Sequence, residues 1–131
     1  MDWDKYPNFS EDEFKCSHCG ECDMDPEFME MLQDLRIRFG KGMTITSGYR
    51  CHDHPNEEQR TRMGKSGSHT TGQAADVLVS GGDAYRLLWL AMQMGFLGIG
   101  VNQKGDHSGR FIHLDRVKDN PQIPRPMIWS Y

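Results

Sequence analysis

The chain has 131 residues, with 15 Lys and Arg against 19 Asp and Glu, and therefore carries a formal charge of −4 at pH 7. A hydrophobic fraction of 37% argues against disorder, and the length fits one domain over residues 1–131, with residues 1–24 as a cysteine-containing lead. The acidic balance argues against nucleic-acid binding, and the longest apolar stretch, residues 87–94, is much shorter than the roughly 18–20 residues of a membrane span. The first residues have neither the basic nor the apolar region of a secretory signal, so the sequence predicts no signal peptide. It does not identify the cellular compartment.

The N-terminal part of the chain carries clear signals for the start of helices. Residues 10–13 (SEDE) match a capping box, which predicts a short helical turn. Asp25 can cap a longer helix, Pro26 suits its first position, and apolar residues recur at helical spacing until Gly40. The sequence therefore predicts an amphipathic helix between Asp25 and Gly40.

The rest of the chain combines short strands with one further helix. Residues 51–68 are polar and predict an irregular loop, with one helical turn from Glu57 to Arg62. The other predicted elements are strands over residues 43–46 and 74–79, a helix over residues 83–94, and a β-hairpin formed by residues 98–101 and 110–115. This order predicts an α+β domain in which helices cover a small antiparallel sheet.

The residues best suited to chemistry are two histidines and a carboxylate close to these strands. His69 precedes a turn and Asp76 lies in the strand that follows, so a bend can bring the imidazole back toward the carboxylate. His113 lies in another strand, and Asp115 shares its face because strand side chains alternate. Two histidines and one carboxylate can form the three-ligand set of a catalytic zinc site. An isolated His-x-Asp in a strand is more often a surface or hydrogen-bonded pair, and spacing by itself leaves both interpretations open.

Several stretches of the sequence resemble motifs of the M15 zinc D-Ala-D-Ala peptidases and follow one another in the order found in that family. Residues 68–76 (SHTTGQAAD) are similar to the S-x-H-x-x-G-x-A-x-D signature of that family, here with the histidine directly after the serine. The resemblance covers most of the chain, from Phe9 onwards. The other stretches that carry it are residues 45–50 (ITSGYR), 98–101 (GIGV), 111–116 (FIHLDR) and 125–131 (RPMIWSY).

This resemblance implies a Hedgehog/DD-peptidase-like fold, zinc as the cofactor and cleavage of peptidoglycan peptides. It places His69, Asp76 and His113 at the zinc ligands of the family. Arg50 falls where relatives have an arginine that holds a substrate carboxylate, and a planar guanidinium suits that task. We assign Ser68 to substrate binding together with Arg50. The alternative for Arg50 is an ordinary solvated arginine at the end of a strand.

The general base is where the sequence departs from several relatives. They carry Glu or Asp three residues before the last histidine ligand, and this chain has Arg110 there. Asp115 is a candidate replacement, because it shares a strand face with His113 and a carboxylate near the metal can accept a proton. The alternative is that Asp115 orients the histidine ligand through a hydrogen bond. Asp106 and His107, in the predicted hairpin loop, are weaker candidates for the base.

The cysteines form a second group. Cys16 and Cys19 make a C-x-x-C motif, and Cys22 and Cys51 follow. Together with nearby histidines, these four residues can hold a structural zinc ion. One or two disulfides, or four reduced thiols, are the alternatives.

The leading functional prediction is a monomeric zinc peptidase without a membrane span. It would hydrolyse stem or cross-link peptides of peptidoglycan at a bond that involves a D-amino acid, as a carboxypeptidase or as an endopeptidase. One alternative is a non-catalytic member of the same fold that binds a cell-wall peptide or a protein. The other is an interaction module in which the cysteines form the only metal site.

Overall fold

The computed structural model describes residues 1–58 and 67–131. The described part contains two α-helices, five strands and short 3-10 turns, which confirms the predicted α+β class. The helices and strands are α1 (Pro26–Phe39), β1 (Thr44–Ser47), β2 (Ala74–Leu78), α2 (Gly81–Met94), β3 (Gly98–Asn102), β4 (Phe111–Asp115) and β5 (Met127–Ser130). The 3-10 turns are Trp3–Lys5, Glu11–Phe14, Ser68–Thr71 and His107–Gly109. The predicted turn from Glu57 to Arg62 falls largely outside the described residues. Within the described ranges, no helix combines the length and the apolar character needed to cross a membrane.

Both helices lie where the sequence predicts them. Asp25 caps α1, because its Oδ2 accepts a hydrogen bond of 2.9 Å from the backbone amide of Phe28. Gly40 ends α1 with φ of 74°, in the left-handed region that glycine adopts without a steric cost. α2 starts at Gly81, two residues before the predicted start at Asp83. Glycine has no side chain that signals a helix, although its backbone can form the first turn.

The sheet has the strand order β1-β2-β4-β3-β5. The β3–β4 pair is antiparallel and confirms the predicted hairpin, and β1–β2 and β2–β4 are antiparallel as well. β5 was not predicted, and it pairs in parallel with β3, so the sheet is mostly rather than entirely antiparallel. Its residues are largely exposed at the sheet edge and follow a proline-rich segment, so they lack the alternation that marks a half-buried strand.

The two faces of the sheet have different roles. One face packs against α1 and α2 and forms the hydrophobic core. Residues of this core include Phe28, Leu32, Leu35, Ala75, Val77, Leu87, Ile99, Ile112 and Leu114. Alternate residues of β2 and β4 point away from the helices, and among these Asp76 and His113 are direct partners in the β2–β4 register. The polar residues predicted to carry chemistry therefore lie together on the face opposite the core.

Candidate metal centre and substrate cleft

Three side chains that were predicted as metal ligands converge on one point. His69 comes from the 3-10 turn Ser68–Thr71, Asp76 from β2 and His113 from β4. His113 Nδ1 lies 3.0 Å from Asp76 Oδ1 and 3.2 Å from His69 Nε2, and His69 Nε2 lies 3.4 Å from Asp76 Oδ1. Donor atoms of a tetrahedral zinc ion with ligand distances of about 2.0–2.2 Å lie roughly 3.3–3.6 Å apart. The triangle therefore has the size that a zinc ion requires.

The opposite nitrogen of each imidazole has a hydrogen-bond acceptor. His69 Nδ1 lies 2.8 Å from the carbonyl oxygen of Gly48, and His113 Nε2 lies 2.7 Å from Asp115 Oδ2. A carbonyl and a carboxylate accept hydrogen bonds, so these two nitrogens carry the protons in the neutral rings. The lone pairs of His69 Nε2 and His113 Nδ1 then face each other and Asp76 Oδ1. A proton or a metal ion between these three atoms removes the repulsion between their lone pairs. Two imidazole nitrogens and a carboxylate oxygen are ligands that zinc accepts, so the donor set fits zinc.

The charges around this triangle also favour a cation. Burial raises the pKa of Asp76, but hydrogen bonds to His113 and His69 hold that pKa well below its usual range. Burial lowers the pKa of His113, but the neighbouring carboxylates of Asp115 and Asp76 outweigh it and raise the pKa. Asp76 is therefore ionised at neutral pH, and the site attracts positive charge.

Asp115 contacts Nε2 of His113, on the opposite side of the ring from Nδ1. Its side chain is fully buried, and Arg125 binds it in a bidentate manner, with Nε 2.9 Å from Oδ1 and Nη2 2.7 Å from Oδ2. The guanidinium of Arg125 lies 5.1 Å from the centre of the Trp129 ring. Both carboxylate oxygens of Asp115 are thus engaged, and this arrangement favours the orienting role over the role of base. Neither Arg125 nor Trp129 was predicted as a site residue. Their place in the stretch 125–131 that carries the resemblance was the only signal.

A cleft of about 1030 Å³ opens above the three predicted ligands. Ser68 lines it, and its Oγ lies 3.4 Å from His113 Nε2. Phe111, Trp129 and Tyr131 form an aromatic wall, in which Phe111 and Tyr131 have ring centres 5.0 Å apart. Of the described residues that line the cleft, only Asp76 is a carboxylate.

Arg50, which the sequence predicts to bind substrate, also lines the cleft. Its Nη1 lies 3.4 Å from Oε1 of the buried Glu57, and its Nη2 lies 3.6 Å from Asp76 Oδ2. Its backbone amide donates a hydrogen bond of 3.2 Å to the carbonyl oxygen of His69. Arg50 is therefore held against the candidate metal ligand Asp76 and is not a solvated side chain at a strand end.

The two weaker candidates for the base lie away from the cleft. Asp106 and His107 are exposed residues of the hairpin loop, and neither lines the cleft. Asp106 Oδ1 accepts hydrogen bonds from the amide and the hydroxyl of Ser108, at 2.9 and 2.7 Å. Arg110 is directed to the carbonyl oxygen of Gly105 in the same loop. This loop brings no acid to the predicted ligands.

The cysteines form a separate group at the N-terminal lead. Cys16, Cys19 and Cys51 have sulfurs within 4.8 Å of one another, and Cys22 does not belong to this group. The predicted set of four cysteines is therefore reduced to three. All four cysteines are free thiols in the structure. Burial raises the pKa of Cys16, but backbone amides of Cys51, Cys19 and His18 donate to its sulfur and bring its pKa down to about 7.

The fold and the site together define a class of protein. Three ligands that line an open cleft are typical of a catalytic metal site in a metallohydrolase. Comparison with protein families gives a match to Peptidase M15 over residues 7–115. The chain belongs to the Peptidase M15 family and is a zinc-dependent metallopeptidase. No curated protein and no solved structure shows a significant match.

Proposed function

We propose that this peptidase hydrolyses stem or cross-link peptides of peptidoglycan, at a bond that involves a D-amino acid, with zinc held by His69, Asp76 and His113. The triangle of ligand atoms, with sides of 3.0 to 3.4 Å, is the observation that carries the proposal. The cleft of about 1030 Å³ is slightly larger than the roughly 300–1,000 Å³ of small-molecule sites, which suits part of an extended peptide.

The protein contributes a prearranged set of ligands. When bound, zinc supplies Lewis-acid chemistry that polarises a scissile carbonyl and lowers the pKa of water. Gly48 fixes the tautomer of His69 by accepting its Nδ1 proton, so that Nε2 is available as a ligand. The low pKa of Asp76 keeps this side chain ionised. These residues therefore pay little reorganisation free energy when they bind the metal.

Asp115 acts, in this proposal, as a positioning residue for His113. Its Oδ2 accepts the Nε2 proton of His113, and Arg125 holds the carboxylate in place from the other side. A buried carboxylate with a bidentate arginine has little freedom to move toward a substrate. Asp115 therefore orients the ring and increases the basicity of Nδ1.

Arg50 recognises a carboxylate of the substrate. Its contacts to Glu57 and Asp76, at 3.4 and 3.6 Å, are longer than the roughly 2.7–2.9 Å of strong charge-assisted hydrogen bonds. Its guanidinium therefore keeps donor capacity on the side of the cleft. A stem peptide offers such a group as its terminal carboxylate or as an acidic side chain, and Ser68 adds a hydroxyl to the same cleft.

The direct test is to incubate the zinc-loaded protein with purified muropeptides and to identify the products by mass. We expect wild-type protein to release D-alanine or to split cross-linked dimers, and the product distinguishes carboxypeptidase from endopeptidase action. His69→Ala should abolish turnover, because it removes a ligand. His107→Ala is the matched control, since this histidine is exposed and does not line the cleft. Binding of muropeptides without any turnover would contradict the proposal and support the non-catalytic alternative.

A further inference from the structure

Three cysteines of the N-terminal half lie close together in space, although Cys51 is far in sequence from the other two, Cys16 and Cys19. Cys16 and Cys19 belong to the N-terminal lead, whereas Cys51 follows the segment after β1. Their sulfurs lie within 4.8 Å of one another, and none is part of a disulfide. A tetrahedral zinc ion with Zn–S distances of about 2.3 Å holds its sulfurs roughly 3.8 Å apart. The three sulfurs are therefore close to the arrangement of a thiolate metal site.

The backbone around Cys16 and Cys19 supports this arrangement. The amide of Gly20 donates a hydrogen bond of 2.8 Å to the carbonyl oxygen of Cys16, and Gly20 has φ of 78°, which closes a tight turn after the C-x-x-C motif. The amide of Cys51 donates to Cys16 Sγ at 3.3 Å, and the amide of Glu21 donates to Cys19 Sγ at 3.5 Å. Amides directed at sulfur stabilise the thiolate, which is the form that binds metals.

We propose that Cys16, Cys19 and Cys51 bind one structural zinc ion, separate from the ion in the cleft. Thiolate ligands select zinc among the common divalent cations of cells, whereas magnesium and calcium require oxygen ligands. Cys19 lies at the surface, so a water molecule or a further side chain can complete the coordination there. A disulfide is the competing state, and it would join two of the sulfurs and exclude the third.

The position of this site explains what the ion does for the protein. Cys51 follows Arg50 directly, and Gly48 accepts the Nδ1 proton of His69. The lead already touches this segment, because the amide of Tyr49 donates a hydrogen bond of 3.0 Å to the carbonyl oxygen of Phe14. A zinc ion bound by Cys16, Cys19 and Cys51 links the lead to the same segment a second time. It therefore stabilises the segment that holds Arg50 and orients His69.

Metal content and absorption spectra of the whole protein test the proposal. Purified in the presence of zinc, the wild-type chain should bind two zinc ions by elemental analysis, and Cys19→Ser should bind one. Cys22→Ser is the matched control and should bind two, because Cys22 lies outside the group. Cys19 is exposed, so its replacement by serine removes no buried packing.

Cobalt gives a second measurement that is independent of activity. Cobalt bound by thiolates shows a sulfur-to-metal charge-transfer band, which a site of two histidines and one carboxylate lacks. We expect this band in the wild type and in His69→Ala, and its loss in Cys19→Ser and Cys51→Ser. Because His69→Ala is expected to keep the band, the experiment can contradict the proposed cysteine site without contradicting the proposed catalytic site, and the reverse. Absence of the band in the wild type, two zinc ions in Cys19→Ser, or a disulfide between two of the three cysteines by mass analysis would each overturn the proposal.

Discussion

The two ring nitrogens of His113 contact different groups. Its Nδ1 faces Asp76 and His69, and its Nε2 faces Asp115, which in turn is bound by Arg125. The ring also packs against Trp129, with ring centres 5.0 Å apart. Packing and hydrogen bonds on every side leave one orientation for the imidazole. We expect the hydrogen bond at Nε2 to affect how strongly Nδ1 binds a metal.

Asp115→Asn tests this role. Asparagine keeps the shape of the side chain, but its amide group cannot accept all the hydrogen bonds that His113 and Arg125 donate to the carboxylate. We expect the zinc affinity to fall by roughly 10–100-fold, as is usual for groups that orient a metal ligand. Turnover should recover substantially when zinc is added in excess. Competition with a coloured chelator measures the affinity, and turnover is measured along the same zinc titration.

The comparison variant for Asp115 is Asp106→Asn, which changes an exposed carboxylate outside the cleft. It should leave zinc affinity and turnover at wild-type values. A different result for Asp115→Asn, unchanged zinc affinity with kcat reduced by roughly 10²–10⁴, would identify Asp115 as the base instead.

Arg50→Lys tests the recognition of a substrate carboxylate. Lysine keeps the charge but loses the planar fork that binds both carboxylate oxygens. We expect kcat/KM to fall by about tenfold or more on substrates with a free carboxylate, and much less on the same substrates after amidation. Arg110→Lys is the control, because Arg110 binds its own loop. Equal losses on both kinds of substrate would show that Arg50 acts only through its contacts to Glu57 and Asp76.

At the level of secondary structure, β3 makes room for the residues of its neighbours. A Cβ atom at Gly98 would collide with the carboxylate of Asp115, and one at Gly100 would lie 2.6 Å from the Trp129 indole nitrogen. Both glycines lie on the face of the sheet that carries the site, opposite Asp115 and His113 in the β3–β4 register. The absence of side chains at these positions allows Asp115 and Trp129 to pack close to the strand.

Gly98→Ala should therefore disturb the site without adding a charge. The added methyl group displaces the Asp115 carboxylate, so we expect the free energy of unfolding to fall by about 1–3 kcal/mol, the usual cost of overpacking. Zinc affinity should fall with it if Asp115 orients His113 as proposed. Denaturant unfolding and a zinc titration measure the two effects. Gly42→Ala has no atom within 4 Å of its new methyl group, and a loss of similar size there would contradict the argument.

How much could be predicted depends on whether an element carries a local signal. The cap at Asp25 and the glycine at Gly40 mark both ends of α1, and the alternation in β4 places His113 and Asp115 on one face. β5 has no such signal, because a parallel edge strand after a proline-rich segment depends on a long-range pairing with β3. Arg125 was missed for the same reason, since only the fold brings it to Asp115.

At the scale of the whole molecule, the sheet separates the hydrophobic core from the candidate metal site. The core lies on the helix side, and the triangle of His69, Asp76 and His113 lies on the other side. This division follows from the period of two along each strand and could be predicted in outline from the sequence. The walls of the cleft could not be predicted from the sequence. They include β5 and the segment that carries Arg125, which are both far in sequence from the predicted ligands.

The last prediction concerns removal of the metal from the whole protein. Two imidazole lone pairs and an ionised carboxylate lie within 3.4 Å of one another, so the folded chain should bind zinc much more strongly than the unfolded chain does. A ligand at 100 times its Kd stabilises the native state by about 2.7 kcal/mol, which corresponds to a rise in Tm of roughly 10 °C for a domain of this size. We therefore expect a chelator to lower the Tm of Cys19→Ser, which keeps only the zinc site of His69, Asp76 and His113, by about that amount. Added zinc should restore it, whereas magnesium should not, because magnesium prefers an octahedron of oxygen ligands. Calorimetry with parallel metal analysis makes the measurement, and an unchanged Tm after verified loss of zinc would mean that the chain holds these three acceptors together without a cation.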